Sequence, residues 1–538
     1  MTPDSREFVL DPGDADGDPL AEVLARLGNA FAISEEPGAV GRGPRRRTWL
    51  DTFDWRLHNA GLVLEHEQHR RVSRLVLTDA QAHIEQPVSG WQSRRPSMLA
   101  DLPTGIVRDA IIPVLAPRAL LPVARATTTR TVLRLLNADG KTVARLIVDA
   151  STTNAGAALP LVISVAEVRG YPGPARRAAS LIATLIANGP LATTQPPVTS
   201  VLAAALAVQG RRPGDYSGKV DAGLEAGMPA ARAVATLLLS LLDTLDRNIE
   251  GTLRDIDTEF LHDLRVSVRR TRSAIKLLGD VLPADLTSHY RGEFKWLGDL
   301  TTPVRDLDVY LLGFAELTDG LVAATPADLE PFREFLVRRR AREFRRMATG
   351  LRSARFRALT MDWRKALDQV RDAVPDPSPK PKPRRAPRTA GALAADRTAR
   401  AFAVVTRHGA AITAQSAPES LHDLRKRCKE LRYLLEFFAP LYEPAAYRKA
   451  TGDLKRLQDC LGEFQDSQVQ REELGVLAEA MLADRAAPAA TLLAMGEIAV
   501  RLAVSQQRAR ADFGRRFASF AGPAGQQRIR ELLSQDRP

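Results

Sequence analysis

The chain has little that would support a disulfide framework, a metal cluster or a membrane span. Its 538 residues include two cysteines, Cys428 and Cys460, too few for a disulfide scaffold or a Cys-rich metal site. The longest apolar stretch, 230–242, contains Arg232 and is shorter than a spanning helix requires. The acidic N-terminus lacks the apolar core of a signal peptide. We therefore expect a cytoplasmic protein with no metal, no cofactor and no membrane partner.

Aromatic residues and catalytic motifs are also scarce. Aromatic side chains make up 5% of the sequence, which leaves few platforms for stacking nucleic-acid bases. There is no Walker loop, HExxH, GxSxG or CxxC pair, so the common signatures of nucleotide, peptide, ester and thiol chemistry are missing. The sequence therefore offers no candidate catalytic residue.

Positive charge is abundant and lies mainly in the second part of the chain. The formal net charge is +12 and the sequence pI is about 10.0. Residues 1–200 contain 22 Lys+Arg and 20 Asp+Glu, whereas residues 201–538 contain 54 and 44, so the excess is +2 and +10. This balance predicts a polyanionic partner: nucleic acid, polyphosphate or an anionic membrane. A solvated Arg-rich surface is the alternative.

The spacing of apolar residues divides the chain into two regions. Residues 1–190 alternate short β-type runs with helical pieces, which predicts a mixed α and β domain. Residues 191–227 are predicted to be a linker, because 188–199 is rich in Pro, Gly and Thr. From 228 onward Leu and Ala recur at helical spacing. The Pro/Lys/Arg-rich stretch 374–390 is predicted to be a second linker between two helical halves, 228–373 and 391–525.

The two helical halves are an internal repeat. LHDLRVSVRRTR (261–272) matches LHDLRKRCKELR (421–432) at an offset of 160 residues. The same offset aligns Gly292 with Gly452 without a gap. Duplication of one helical unit explains this agreement.

Each copy of the repeat carries a cationic helix face. The members are His262, Arg265, Arg269, Arg272 and Lys276 in the first copy and His422, Arg425, Lys429 and Arg432 in the second. Steps of three and four residues place each set on one face. Like charges at this spacing destabilise an isolated helix by roughly a few tenths of a kcal/mol per pair. We therefore interpret the faces as anion-binding, with Arg and Lys as salt-sensitive phosphate ligands and His as a pH-dependent donor.

Further residues are candidates for the same surface. The additional basic candidates are Arg270, Lys295, Arg338, Arg342, Arg345, Lys426 and Lys455. Asp306 and Asp466 are aligned by the repeat. We expect each to hold an arginine of the basic face in position; a helix cap or a surface ion pair is the alternative.

The helical region resembles the CHAD family, the conserved histidine α-helical domain, over about residues 225–525. The resemblance rests on His262, Leu264, Arg265, Val266, Arg269, Arg270, Arg272 and 305–309 in the first half and on His422, Leu424, Arg425, Lys429, Arg432, Tyr433, Lys455, Gln458, Leu461, Gly462 and Asp466 in the second. It implies two pseudo-symmetric four-helix bundles that bind inorganic polyphosphate in a basic groove and associate with polyphosphate granules. Thr301 and Thr302 stand where the second half has Leu461 and Gly462. We expect this difference to affect packing more than binding.

The first 190 residues resemble the CYTH family, the triphosphate tunnel fold. TWLDTFDWRLHNAGLVLEHE (48–67) is similar to its strand–turn segment, and the resemblance implies an α+β domain with an antiparallel, tunnel-like sheet. The family's Glu-x-Glu-x-Lys pattern is reduced to Glu7 and its late paired glutamates to Glu167. Because a two-metal phosphoryl site needs several converging carboxylates, we expect a degenerate, non-catalytic domain.

The sequence thus predicts a non-catalytic protein that binds polyphosphate. A metal-dependent triphosphatase in the N-terminal domain is one alternative. Weak nucleic-acid binding by the helical region is the other.

Overall fold

The chain folds into two compact units, Met1–Ser217 and Gly218–Pro538. The structure is a computed structural model and describes residues 7–10, 18–36, 43–79, 83–187, 197–373 and 389–533. The predicted linker segments 188–196 and 374–388 lie outside these residues.

The first unit is built on a nine-stranded antiparallel sheet. Its strands are β1 (Glu7–Leu10), β2 (Ala32–Glu35), β3 (Arg45–Asp51), β4 (Val63–His69), β5 (Val72–Thr78), β6 (His83–Val88), β7 (Leu121–Leu136), β8 (Thr142–Thr153) and β9 (Leu161–Glu167). The strand order is β1-β9-β8-β7-β3-β4-β5-β6, with β2 paired to β7. Every pairing is antiparallel, which confirms the predicted α+β class with an antiparallel sheet.

Five helices pack on this sheet. They are α1 (Pro19–Gly28), α2 (Arg56–Asn59), α3 (Ile106–Leu115), α4 (Pro172–Ala187) and α5 (Pro197–Ala207). Helices α1 and α4 share one apolar cluster with β1, β7, β8 and β9, and α3 packs with β5 in another. The domain core is therefore divided among separate clusters along the sheet.

Helix α5 corrects the linker predicted for 191–227. Its residues Val201 and Leu206 are fully buried in a cluster with Trp49 and Trp55. The Pro and Thr content had suggested a linker, but burying an apolar run against two tryptophans outweighs that local preference.

The second unit is helical. Its helices are α6 (Ala230–Leu253), α7 (Thr258–Leu278), α8 (Ala284–Leu312), α9 (Phe314–Thr318), α10 (Glu330–Leu351), α11 (Ala354–Asp372), α12 (Ala390–Ala410), α13 (Pro418–Phe437), α14 (Pro444–Ala483), α15 (Ala489–Ala521) and α16 (Pro523–Leu533). Helix α16 continues past residue 525, where the second half was predicted to end, because Ile529 and Leu532 are buried in the core.

The internal repeat is visible in where the helices begin. Helices α6, α7 and α8 start at 230, 258 and 284, and helices α12, α13 and α14 start at 390, 418 and 444. Each pair is separated by 160 residues, the offset of the sequence repeat. The duplication therefore preserved helix boundaries as well as residues.

Each half encloses its core with four helices. In the first half, α6 contacts α7 and α11, and both of these contact α8. In the second half, α12 contacts α13 and α16, and both contact α14. One continuous apolar cluster runs through both halves, so the two bundles fold as one unit.

Helix α15 is the one described helix that is long and apolar enough, by length and composition alone, to cross a membrane. It packs along α14 and against α16, and Phe513 and Phe520 belong to the core shared by both halves. In this structure it is a bundle helix.

Candidate functional site

Helices α7 and α13 each separate an apolar face from a basic one. In α7, the Asp257 side chain caps the N-terminus by accepting from the backbone N–H groups of Glu259 and Phe260. Leu264 and Val268 of α7 and Leu424 of α13 are buried in the core. Burial of these apolar residues fixes the helix rotation and leaves the basic residues on the outer side.

The two helices contact each other through a reciprocal pair of ion bridges. Arg270 Nη2 lies 2.9 Å from Glu436 Oε2, and Lys276 Nζ lies 2.5 Å from Glu430 Oε1. Positions 270 and 430, and likewise 276 and 436, are related by the 160-residue offset. Position 270 thus contacts the repeat equivalent of position 276, and position 276 contacts the repeat equivalent of position 270, which is the contact pattern of a twofold axis. The order of the contacts also shows that the two helices run antiparallel.

The role predicted for Arg270 needs correction. Its side chain is 13% exposed, and besides Glu436 its Nη1 donates to the carbonyl oxygen of Gly218 at 2.9 Å. With these partners Arg270 ties the halves together. Lys276 is also paired, but its side chain is 62% exposed, so it remains accessible to solvent.

Arg265 and Arg425 are repeat equivalents that are held in different ways. Arg425 Nη1 donates to the carbonyl of Gly462 at 3.2 Å and to Asp466 Oδ1 at 2.8 Å. The Asp466 side chain is 64% exposed, so it contacts the expected arginine as a surface ion pair. Arg265 Nη1 donates instead to the hydroxyls of Thr301 and Thr302, at 3.1 and 2.8 Å. Both arginines are therefore positioned by the following long helix.

The first half holds its arginine differently from the expected arrangement. Asp306 makes no hydrogen bond to an arginine within the described ranges; burial lowers the pKa of Arg265, and the charge of Asp306 only opposes that shift. Thr301 and Thr302 were expected to affect packing, yet their hydroxyls orient Arg265. In the first half a pair of threonine hydroxyls therefore orients the arginine, and Asp306 acts on it through its charge alone.

Four cations of the faces, Arg265 among them, lack a carboxylate partner among the residues that the structure describes. Arg269 and Arg272 are exposed, and Lys429 is half-buried. Burial, together with the charges of Arg425 and Arg269, lowers the pKa of the Lys429 ammonium to about 8. Because Arg269 belongs to the other half, its effect places cations of both halves close together. We call Arg265, Arg269, Arg272, Arg425, Lys429 and Arg432 the basic surface.

A family model described as "CHAD domain" matches residues 236–475. Residues 236–475 are a CHAD domain. The match begins in α6 and ends in α14, and so includes both copies of the basic helix. No curated protein is significantly similar to the chain.

Three solved structures are similar to parts of the chain. The CHAD domain from the plant Ricinus communis is 22% identical, with a TM-score of 0.42, and covers 59% of this chain and 96% of its own. PptA from Streptomyces chartreusis is 17% identical, with a TM-score of 0.41, and covers 54% and 99%. A protein described as a candidate adenylate cyclase from Bacillus halodurans is 14% identical, with a TM-score of 0.25, and covers 36% and 94%. The assignment of the CHAD domain rests on the family model.

The remaining basic candidates of the CHAD domain are mostly surface residues with neighbours of their own. The pairs are Lys295 with Asp299, Arg338 with Glu334, and Lys426 with Asp423. Arg342, Arg345 and Lys455 are exposed, and no described contact joins them to the basic surface. His422 Nδ1 lies 2.6 Å from Gln465 Oε1, so this histidine is oriented by helix α14. His262 also makes an interaction.

Sequence reasoning missed two acidic residues in the CHAD domain. Glu430 and Glu436 are each only 16% exposed and pair with basic residues of both α7 and α13. A signal was present, because each stands three or four residues after an arginine, Arg427 and Arg432, on the same helix. The contacts across to α7 could not be read from that spacing.

The N-terminal unit carries a separate charged network on its sheet. Glu65 is 3% exposed and accepts from both Arg47 and Trp49. Arg74 pairs with Glu67 and with Glu85, at 2.6 Å in both cases. Further along the sheet, the Arg130 guanidinium lies 2.5 Å from Asp149, and this hydrogen bond raises the pKa of Arg130.

No group of three or more metal-ligating side chains occurs in the described portion of the chain. The tunnel form of this sheet stays a prediction.

Proposed function

We propose that the CHAD domain binds inorganic polyphosphate along the basic surface. The observation that carries the proposal is the grouping of six cations from two repeated helices. Four of them lack a described carboxylate partner: Arg265, Arg269, Arg272 and Lys429. Burial lowers the pKa of Lys429 to about 8, and the charges of Arg425 and Arg269 contribute to this shift. Clustered like charges are unfavourable in the free protein, and an anion laid across them would remove that repulsion.

A linear polyanion fits this surface better than a single phosphate. The cations follow each helix at steps of three or four residues, or about 5 Å along the axis. A chain with one charge per phosphate unit can contact several of them in succession, and each additional contact raises the effective concentration for the next. Arg guanidinium groups would bind pairs of phosphate oxygens, while Lys429 would act as a point charge.

The experiment compares two double variants of the full chain with equal changes in charge. Arg269→Glu with Arg272→Glu alters exposed, unpaired members of the basic surface. Arg357→Glu with Arg530→Glu is the matched control, because these arginines are exposed on the outer helices α11 and α16. Affinity for long-chain polyphosphate is measured at one fixed salt concentration, and circular dichroism checks the fold.

We expect the first variant to lose roughly 100-fold or more in affinity, since two charge-assisted contacts become repulsive. The control should lose less than about threefold, through net charge alone. Equal losses would mean that polyphosphate binds by charge without a defined site. Single-stranded RNA in the same assay tests the nucleic-acid alternative, which would be favoured if RNA displaced polyphosphate at equal concentration of charge.

A further inference from the structure

Gln458 carries a buried amide with no hydrogen-bond partner in the described part of the CHAD domain. Its side chain is 9% exposed, and neither its Oε1 nor its Nε2 has a partner. Buried amides are nearly always satisfied, because leaving one unpaired is unfavourable. A second group that completes its hydrogen bonds is therefore expected nearby.

The helix periodicity shows which way Gln458 points. Gly462 and Asp466 follow it at four and eight residues, so all three lie on one face of α14. The Gly462 carbonyl and the Asp466 carboxylate both accept from Arg425 of α13. The Gln458 side chain therefore faces α13 and the basic surface.

The register between the two helices places Lys429 at the level of Gln458. Along α13, moving back from Arg425 to His422 shifts the partner on α14 forward from Gly462 to Gln465, so the helices are antiparallel. One turn forward from Arg425 is Lys429, and one turn back from Gly462 is Gln458. Lys429 is half-buried. The charges that act on the pKa of its ammonium are those of Arg425, Arg269, Asp466 and Arg432.

The first half lacks this arrangement. Gly298 occupies the position that the repeat aligns with Gln458, and a Cβ there would lie 3.0 Å from Nη1 of Arg272. The Arg272 guanidinium thus rests on the glycine backbone, where the second half has an amide. Arg269, the equivalent of Lys429, is exposed. The two halves therefore offer different environments to an anion.

We propose that Gln458 and Lys429 form a partly buried subsite for one phosphoryl group of the bound polyphosphate, present in the second half alone. The amide N–H donates to a phosphoryl oxygen, and the ammonium supplies the opposite charge. The flanking Arg425 is fixed by Gly462 and Asp466, so it limits how the group can be placed. This inference rests on the proposed function, and it makes binding by the two halves unequal.

The test replaces Gln458 by Leu in the full chain and measures affinity for long-chain polyphosphate. We expect a loss of about tenfold, the usual effect of removing one hydrogen bond to a charged group. Gln468→Leu is the matched control, because Gln468 lies in the same helix but bonds Glu472 and Gln506 instead. The control should bind like the parent.

A thermal melt separates a binding role from a structural one. Since the Gln458 amide is unpaired in the free protein, Gln458→Leu should melt at the same temperature as the parent or higher. Should it fail to fold, Gln458→Met, which keeps the length of the side chain, replaces it in both measurements. Parent-like affinity of the folded variant overturns the subsite while leaving the proposed function intact. Absence of polyphosphate binding by the parent overturns both.

Discussion

Arg270 of helix α7 and Glu436 of helix α13 form an ion pair of 2.9 Å that joins the two halves of the CHAD domain. Glu436 also accepts a hydrogen bond from Arg432 of its own helix at 2.6 Å. The same carboxylate therefore joins the two halves and pairs with a member of the basic surface. In the reciprocal pair, Glu430 contacts Lys276 and also pairs with Arg427 of its own helix, which is not a member of the basic surface. The acids at this contact hold the helices together while they reduce the repulsion among the cations.

Replacing Arg270 by Ala should destabilise the helical unit. The change removes a guanidinium that is 13% exposed and leaves Glu436 partly buried, so we expect a loss of about 2 kcal/mol in the free energy of unfolding. Lys276→Ala removes the exposed member of the reciprocal pair and should cost less than about 1 kcal/mol. Urea unfolding followed by circular dichroism measures both. Equal losses of unfolding free energy in the two variants would contradict the difference in burial between the two ion pairs.

Lys429 should give the free protein a measurable dependence of stability on pH. Burial lowers the pKa of its ammonium to about 8, below the value of about 10.4 in an unfolded chain. Between these two values the unfolded state holds more protons, so stability should rise as the pH increases from about 8 to about 10. Lys429→Met should raise the melting temperature at pH 7 and remove this rise. A lower melting temperature of the variant at pH 7 would contradict the assignment.

Salt should weaken polyphosphate binding in proportion to the number of cations engaged. For a flexible polyanion each neutralised phosphate contributes about −0.7 to the slope of log affinity against log salt, so six cations predict a slope of about −4. Arg269→Glu with Arg272→Glu should reduce its magnitude by about 1.4 or more. Titrations at several salt concentrations supply the slopes. A slope near −1 for the parent protein would mean that the polyphosphate chain does not run along the basic surface.

The chain of 538 residues should release no phosphate from tripolyphosphate with Mg²⁺ or Mn²⁺. On the sheet of the N-terminal unit, Arg47, Arg74 and Arg130 are already paired with carboxylates. A triphosphate would have to displace these ion pairs, and the same carboxylates could not then serve freely as metal ligands. A colorimetric phosphate assay checks this expectation. Metal-dependent release that is lost on replacing Glu65 or Glu67 by Gln would overturn it.

Much of the helical unit was predictable because the repeat is encoded locally. Steps of three and four residues put Arg265, Arg269 and Arg272 on one face, and the 160-residue offset predicted equivalent helices in the second half. The linker at 191–227 was predicted poorly for the opposite reason. Its Pro and Thr content reflects local preference, whereas helix α5 depends on burial against Trp49 and Trp55.

The sequence predicted which charged residues form the candidate site, but not which of them pair with other residues. The charges on each helix follow from sequence alone, since side-chain direction on a helix depends only on spacing. The neutralisation of Arg270 by Glu436, the positioning of Arg265 by Thr302 and the unpaired amide of Gln458 depend on contacts between helices. Those contacts arise from how the apolar faces pack, which sets the rotation and level of each helix. The sequence by itself therefore determined the duplicated basic helices, and only the tertiary structure decided which of their charges remain unpaired.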